Sequence, residues 1–168
     1  MLTSVQSKVA IQQATEEDIN YVTENIRDID WREISPLLWI SEKEELAKTT
    51  WKQCGQSAWV AVNGHGERVA VFGGNMILPG VASIWLWATD KINRRVWLAI
   101  TKWGVAALDR VFEQGLVHRA QAMVADFNYD ARKWIAKCGM THEVEFLASG
   151  KNQEDYIIMS RFIEKEGE

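Results

Sequence analysis

The stretch VADFNYDARKWIAKCGM, residues 124–140, decides the fold of this chain. Its first residues close an apolar run that predicts a strand over Arg119–Ala125. Asn128 then stands where a helix N-cap is expected, and the residues after it predict a short helix over Tyr129–Lys137. Gly139 suits the position just past the end of that helix. The stretch therefore predicts a strand that leads directly into a short capped helix.

A long helix precedes this stretch. Apolar residues recur at helical spacing within residues 92–114, and Gly115 suits the position after the helix ends. The apolar stripe of that helix consists of Val96, Ile100, Trp103, Ala107 and Val111. Since a strand over Val81–Ala88 comes before it and another strand follows, the pattern predicts a right-handed crossover between two parallel strands.

The remaining segments predict antiparallel strands and three short helical pieces. Thr15 with Asp18 forms an approximate capping box, and Ser35-Pro36 and Ser41 suit further helix starts. Strands are predicted over residues 9–13, 57–63, 68–73, 141–147 and 155–162, with residues 74–78 continuing the third after a bulge, and helices over 30–34 and 42–52. Residues 1–168 therefore form one α+β domain with a mixed, mostly antiparallel sheet flanked by helices.

Composition excludes several classes of protein. The net charge of −4 argues against nucleic acid as the main partner, because phosphate binding depends on Lys and Arg. Cys54 and Cys138 stand far apart with no Cys/His cluster, so we predict buried free thiols and no metal site. The N-terminus lacks a signal-peptide pattern, and no apolar run is long enough to span a membrane. The nine tryptophans are expected to fill the core or to line a partner surface.

The element order and five positions of the opening stretch resemble the GNAT superfamily of N-acetyltransferases. Those positions are Asn128, Ala131, Trp134, Gly139 and Met140. The resemblance implies a GNAT-like fold with a splayed central parallel pair of strands.

A second resemblance is to a bacteriophage family that includes the internal virion protein A of short-tailed coliphages and related acetyltransferases. Residues 24–34 are similar to its N-x-R-x-x-D-x-x-E stretch, and residues 85–90 to its W-x-x-x-T-D/S strand end. The resemblance implies a host or virion protein as partner, and the cytoplasm of an infected bacterium or the virion as location.

The GNAT resemblance implies acetyl-CoA as cofactor, held at the N-terminus of the long helix. The residues expected to bind it are Ala88, Thr89, Lys91, Asn93, Arg94, Arg95 and Asn128. Residues 89–96 contain no glycine, although the family usually has glycines there that let the backbone approach phosphate. Charged side chains of Lys91, Arg94 and Arg95 could replace that backbone contact.

The candidate catalytic bases are Asp90 at a strand end and Asp126 near the expected splay. Arg27, Asp30 and Glu33 are spaced by three residues, so they share one helix face and are expected to contact the substrate. Glu33 is a further candidate base. Purely structural roles stay open: a helix cap for Asp90 and Asn128, and solvated surface charge for the other three.

Trp134 stands where the family usually has a tyrosine that protonates the departing thiolate. An indole N–H can donate a hydrogen bond but cannot serve as that acid at ordinary pH. Two functions therefore remain. One is an acyl-CoA-dependent N-acetyltransferase acting on an amine of a small molecule or a host protein. The other is a catalytically inactive binding or virion-associated protein with the same fold.

Overall fold

A computed structural model describes residues 8–164 as a seven-stranded sheet with helices on both faces. The strand order is β1-β2-β3-β4-β5-β7-β6, and β4–β5 is the parallel pair. The strands are β1 Ala10–Gln13, β2 Ala58–Val62, β3 Arg68–Leu78, β4 Val81–Ala88, β5 Arg119–Ala125, β6 Thr141–Phe146 and β7 Tyr156–Phe162. The helices are α1 Glu16–Glu24, α2 Asp28–Leu38, α3 Lys43–Cys54, α4 Arg94–Glu113 and α5 Tyr129–Lys137. The predicted fold class is confirmed.

Local signals placed several elements correctly. Thr15 and Asp18 form a full capping box, because the Thr15 hydroxyl accepts from the Asp18 N–H while the Asp18 carboxylate accepts from the Thr15 N–H. Strands β4 and β5 and helix α5 have the predicted bounds. Gly115 follows the C-cap of α4 with a φ of 67°, a backbone conformation that glycine adopts at low cost.

Other predicted boundaries were wrong. Helix α2 begins at Asp28 and continues through Ser35 and Pro36, so no new helix starts there. Pro36 is buried near the end of α2, where the loss of one backbone hydrogen bond is outweighed by packing. Ser41 does not cap α3, since Glu42 holds the N-cap position without a side-chain hydrogen bond. The bulge in β3 lies beyond Met76 rather than at the predicted residue 74.

Helices α1–α3 cover one face of the sheet, and α4 and α5 cover the other. Side chains of β4 alternate between the two faces: Trp85 and Trp87 pack with α1–α3, while Leu86 and Ala88 face α4. Seven of the nine indoles pack against buried clusters in this way, which confirms their predicted core role. Trp39 is 65% exposed.

The parallel pair is short. β4 and β5 pair over only three residues, Val81–Ser83 with Arg119–Gln121, and no pairing between them follows. The last five residues of β4 therefore diverge from β5 and leave a gap in the middle of the sheet.

Both predicted free thiols are buried, and burial raises the pKa of Cys138 to about 11, so that thiol is neutral. Within residues 8–164, no helix is both long and apolar enough to cross a bilayer.

Candidate functional site

A cleft of about 910 Å³ opens where β4 and β5 diverge. One half is lined by α2, α3 and the side chains of β3, β4 and β6 on that face, and we call it the α2 half. The other half is lined by α4, α5 and the opposite side chains of β4 and β5, and we call it the α5 half. The cleft thus passes through the sheet at the splay.

Two carboxylates of α2 bind the two diverging strands. Asp30 Oδ2 accepts a hydrogen bond of 2.9 Å from the backbone N–H of Ala88 at the end of β4. Glu33 Oε2 accepts one of 2.9 Å from the N–H of Ala125 at the end of β5. Because the two residues are three apart, they lie on one face of the helix. We call this arrangement the carboxylate bridge, and it positions α2 across the gap.

Arg27 completes the β4 end of the carboxylate bridge. Its guanidinium forms two hydrogen bonds to the Asp30 carboxylate, of 2.8 and 3.0 Å, and its backbone N–H donates to the Ala88 carbonyl at 2.8 Å. The same guanidinium lies over the ring of Trp97, 5.5 Å from its centroid. Arg27, Asp30 and Glu33 therefore face the cleft, and the alternative of solvated surface charge does not hold for Asp30 and Glu33, which are buried.

Glu33 is held in an unusual protonation equilibrium. Burial raises its pKa from 4.5 to about 7, because the ionised form is poorly solvated there. The hydrogen bonds from Ala125 and Asn128 offset part of that effect, and the nearby Asp30 charge adds to it. Both hydrogen bonds end on Oε2. Glu33 is thus a carboxylate that can take up or release a proton near neutral pH.

Asn128 caps α5, as one of its two predicted roles required, and it also binds Glu33. Its side-chain carbonyl accepts from the Ala131 N–H at 3.3 Å and caps α5, and its Nδ2 donates to Glu33 Oε2 at 3.1 Å. The side chain is buried and lines the cleft. It therefore ties the start of α5 to the β5 end of the carboxylate bridge.

The predicted phosphate loop lies at the start of α4. Asn93, not Asp90, is the N-cap, and its side-chain oxygen accepts from the N–H groups of Arg95 and Val96 at 3.0 and 3.2 Å. Thr89 is buried, and its hydroxyl accepts from the Lys91 N–H at 3.3 Å. Two of the backbone N–H groups in the first turn of α4, which could otherwise bind an anion, are therefore bound by the chain itself.

Three other residues that were predicted to bind acetyl-CoA are either bound by the chain itself or exposed to solvent. The Lys91 ammonium pairs with Glu67, and Arg94 is exposed on the first turn of α4. Ala88 is fully buried, with its N–H bound by Asp30 and its carbonyl by the Arg27 N–H.

The two predicted bases, Asp90 and Asp126, are exposed, and neither lines the cleft. Asp90 lies in the turn after β4. Asp126 forms an ion pair of 3.2 Å with Arg132, because the turn into α5 points its side chain outward. The structure brings Glu33 to the splay instead, through a contact with Ala125 that spans 92 residues.

Trp134 lines the α5 half with its indole N–H already bound. Nε1 donates to the Thr101 hydroxyl at 2.8 Å, and the ring packs on Trp97 with centroids 5.2 Å apart. None of the three tyrosines lines the cleft of the described chain. Tyr156 is fully buried beneath α2, where its hydroxyl donates to the Glu33 carbonyl, and burial raises its pKa. A tyrosine acid is therefore absent from this cleft.

Sequence reasoning missed several lining residues. Trp97 lines the cleft but belongs to neither of the two stretches that carry the family resemblances. Its place in the predicted long helix is the one sequence signal for its position. Lys133 and Lys137 line the α5 half and are exposed. Their spacing of four beside the Asn128 motif is a signal that could have found them.

Several solved structures with the same architecture are described as acetyltransferases. An acetyltransferase of the GNAT family from Bacillus anthracis matches with a TM-score of 0.71 and 16% identity, over 94% of this chain and 96% of that one. A ribosomal L7/L12 α-N-protein acetyltransferase in complex with coenzyme A matches with a TM-score of 0.71 and 14% identity, over 95% and 96%. A chimeric spermidine N-acetyltransferase built in part from the Vibrio cholerae enzyme gives 0.68 and 14%, over 93% and 96%.

No family model matches the chain, and no curated protein matches it in sequence. At these identities, the structural likeness shows the fold alone. The chain has the GNAT fold.

Proposed function

Starting from the GNAT fold, we propose that the chain is an acyl-CoA-dependent N-acetyltransferase in which Glu33 is the base. The single observation that carries the proposal is the position of Glu33. It is a buried carboxylate with a pKa of about 7, at the point where the parallel strands part and the cleft crosses the sheet. A base whose pKa lies near the working pH combines a useful unprotonated fraction with a useful driving force.

The gap offers a place for the cofactor's arm. The N–H and carbonyl of Ala88 point away from β3, toward α2. Because backbone groups alternate sides along a strand, those of Leu86 point to the same side, into the gap beyond the last β4–β5 pair. Leu86 also lines the cleft, and Asn128 lies across from it. The Ala88 groups are bound by α2, so the N–H and carbonyl of Leu86 are the ones that fit an extended chain carrying amides.

The phosphate end fits through side chains rather than through a glycine loop. Arg94 and Arg95 stand on the first turn of α4, and Lys133 and Lys137 line the α5 half. Since Asn93 occupies the N–H groups of Arg95 and Val96, we assign the phosphates mainly to these cations. Acetyl-CoA, when bound, supplies the acetyl group as a reactive thioester.

The residues of the chain then act on the acceptor amine. Glu33, in its ionised form, accepts a proton from the amine as the amine attacks. Arg27 neutralises Asp30, so that a second full negative charge does not stand uncompensated beside Glu33. Asn128 and the Ala125 N–H keep the carboxylate oriented. The indole of Trp134 is bound to Thr101, so we assign protonation of the departing thiolate to water.

The bacteriophage context remains part of the proposal. It rests on the resemblance of residues 24–34, in which Arg27, Asp30 and Glu33 form the carboxylate bridge and its ion pair. A phage protein of this kind would act in the cytoplasm of an infected bacterium or within the virion. Its acceptor would then include a host or virion protein.

A binding protein without catalysis is the second candidate. Two observations favour it: Asn93 occupies two backbone N–H groups at the start of α4, and the indole of Trp134 replaces a tyrosine acid. In that case, the cleft would bind a ligand or partner without transferring an acyl group.

Calorimetric titration with acetyl-CoA and with CoA tests the proposal. We expect binding by the native chain, about tenfold weaker binding by an Arg94→Ala/Arg95→Ala double variant, and unchanged binding by Arg110→Ala, an exposed arginine at the other end of α4. The Glu33→Gln variant should still bind acetyl-CoA but transfer acetyl groups about 100-fold more slowly. No heat at millimolar cofactor would refute the enzyme, and binding without transfer to any amine would favour the second candidate.

A further inference from the structure

The α2 half of the cleft is mostly apolar. Leu37 and Leu38 of α2, Ile77 of β3, Trp85 of β4 and Phe146 of β6 all line it. These strand residues share one face: Asn75 pairs with Ser83, Trp85 lies two residues further along β4, and Ile77 lies at the β3 bulge and lines the cleft. Phe146 pairs with Tyr156, whose hydroxyl reaches α2. The part of the acceptor next to its reacting amine would therefore contact apolar side chains.

Charge is scarce in this half of the cleft. The charged residues that line it are Arg27, Asp30 and Glu33, and the first two neutralise each other. The other charged lining residues, Asp130, Lys133 and Lys137, belong to α5 and the opposite half. A polyamine with several positive charges would lose hydration here and meet at most one carboxylate. The α2 half therefore suits an acceptor with one amine and an uncharged body.

The pKa of the acceptor's amine narrows the class of acceptor further. A chain-terminal α-amino group has a pKa near 7.8, so about a third of it is unprotonated at pH 7.5. A lysine side chain has a pKa near 10.4, so only about one in 800 is unprotonated. A cleft that offers one carboxylate and little solvation favours the amine that gives up its proton most readily. That amine is the α-amino group.

The apolar surface continues outward to the rim. Leu38, Ile77 and Phe146 line the cleft and are still 52%, 45% and 49% exposed, respectively. A small amine would fit inside and leave this rim in water, whereas a longer chain would cover it. Asn75 and Ser83, which are paired residues of β3 and β4, add neutral polar groups suited to peptide N–H and carbonyl groups.

Building on the proposed acetyltransferase function, we infer that the acceptor is the α-amino group of a polypeptide whose first residues are apolar. The amine reaches the splay beside Glu33, and the first side chains occupy the α2 half. In the transfer, the amine nitrogen forms a bond to the acetyl carbon, the thioester C–S bond breaks, and the sulfur leaves as CoA thiolate. The amine proton goes to Glu33.

Acetylation of a matched set of acceptors by the full chain tests the inference. The set contains a ten-residue peptide that begins Phe-Leu, the same peptide beginning Asp-Glu, an N-terminally blocked version with one lysine, and spermidine. Release of free thiol gives the rate, and mass spectrometry gives the modified site. We expect kcat/KM for the Phe-Leu peptide to exceed each of the others at least tenfold.

Rim variants supply a second readout. Leu38→Glu and Phe146→Glu should each raise KM for the Phe-Leu peptide about tenfold and leave KM for acetyl-CoA unchanged. Leu116→Glu is the matched control, since Leu116 is 59% exposed and does not line the cleft, and it should change neither constant.

Each outcome decides between the two proposals. If spermidine or the lysine peptide is the better acceptor, the inferred acceptor is wrong while the acetyltransferase stands. If acetyl-CoA binds but the Phe-Leu peptide remains unmodified, the inferred acceptor is likewise wrong. Absence of cofactor binding overturns the proposed function, and the inferred acceptor fails with it.

Discussion

Replacing Glu33 by Gln should remove a pH dependence of stability that the native chain carries. The pKa of Glu33 is about 7 in the folded protein, against an ordinary value of 4.5. A carboxyl whose pKa is raised by folding stabilises the fold at low pH, and this contribution is lost as the pH rises through 4.5 and toward 7. At about 1.4 kcal/mol per pKa unit, the full loss is about 3 kcal/mol, and most of it falls between pH 5 and pH 8.

Urea unfolding at pH 5, 6, 7 and 8 measures the effect, with tryptophan fluorescence as the signal. Gln resembles the protonated carboxyl in shape, and its side-chain oxygen can still accept from the Ala125 N–H. The free energies of unfolding of the two proteins should therefore differ little at pH 5. At pH 8 the variant should be more stable by about 2 to 3 kcal/mol.

The two proteins differ only at residue 33, so the difference between their curves reports on that residue. Glu113→Gln, at an exposed position of α4, is the matched control and should follow the native curve. A difference between native chain and Glu33→Gln that stays constant from pH 5 to pH 8 would show that Glu33 is not held in the protonated form by burial.

Three further substitutions test other parts of the structure by urea unfolding. Asp30→Ala leaves the Ala88 N–H and the Arg27 guanidinium without their partner, so we expect the free energy of unfolding to fall by about 3 kcal/mol. A loss below about 1 kcal/mol would contradict the carboxylate bridge. Thr15→Ala breaks the capping box and should lower the free energy of unfolding by about 1 kcal/mol, whereas Ser41→Ala should barely change it. Equal losses would argue against Thr15 as a cap and Ser41 as a residue without that role. Gly80 has a φ of 76°, and an alanine there would place a Cβ in steric overlap with the His118 imidazole, so we expect Gly80→Ala to lose about 1–3 kcal/mol. A neutral result would mean that the hairpin can rearrange.

The sequence predicted best the elements whose signals are local. The capping box needs only Thr15 and Asp18, and the short helix Tyr129–Lys137 needs only its N-cap and its apolar spacing. Helix α2 was harder, because Pro36 is a poor interior residue by local rules. Its burial under the C-terminal part of the chain, where the Lys151 N–H donates to the Pro36 carbonyl, decides the outcome.

The candidate site was predictable only in part, for the same reason. The spacing of Asp30 and Glu33 placed them on one face, but their partners are backbone N–H groups, which carry no sequence signal. Asp90 and Asp126 attracted attention because they follow strands, yet the direction in which a turn points a side chain depends on the turn's own geometry. Glu33 gained its raised pKa from burial, which only the assembled fold provides.

The carboxylate bridge also has a consequence for synthesis. Its two hydrogen bonds join residues that are 58 and 92 positions apart, and in both cases the helix side is made first. At about 5–20 residues per second, the ribosome adds Ala125 roughly 5 to 20 seconds after Glu33. Until then, the Glu33 side chain belongs to an unfinished chain and stays in water as an ordinary ionised glutamate. The proton that it holds near neutral pH in the mature protein is thus gained only after β5 has left the ribosome. In a truncated chain that stops before β5, Glu33 would keep the ordinary pKa of a solvated glutamate.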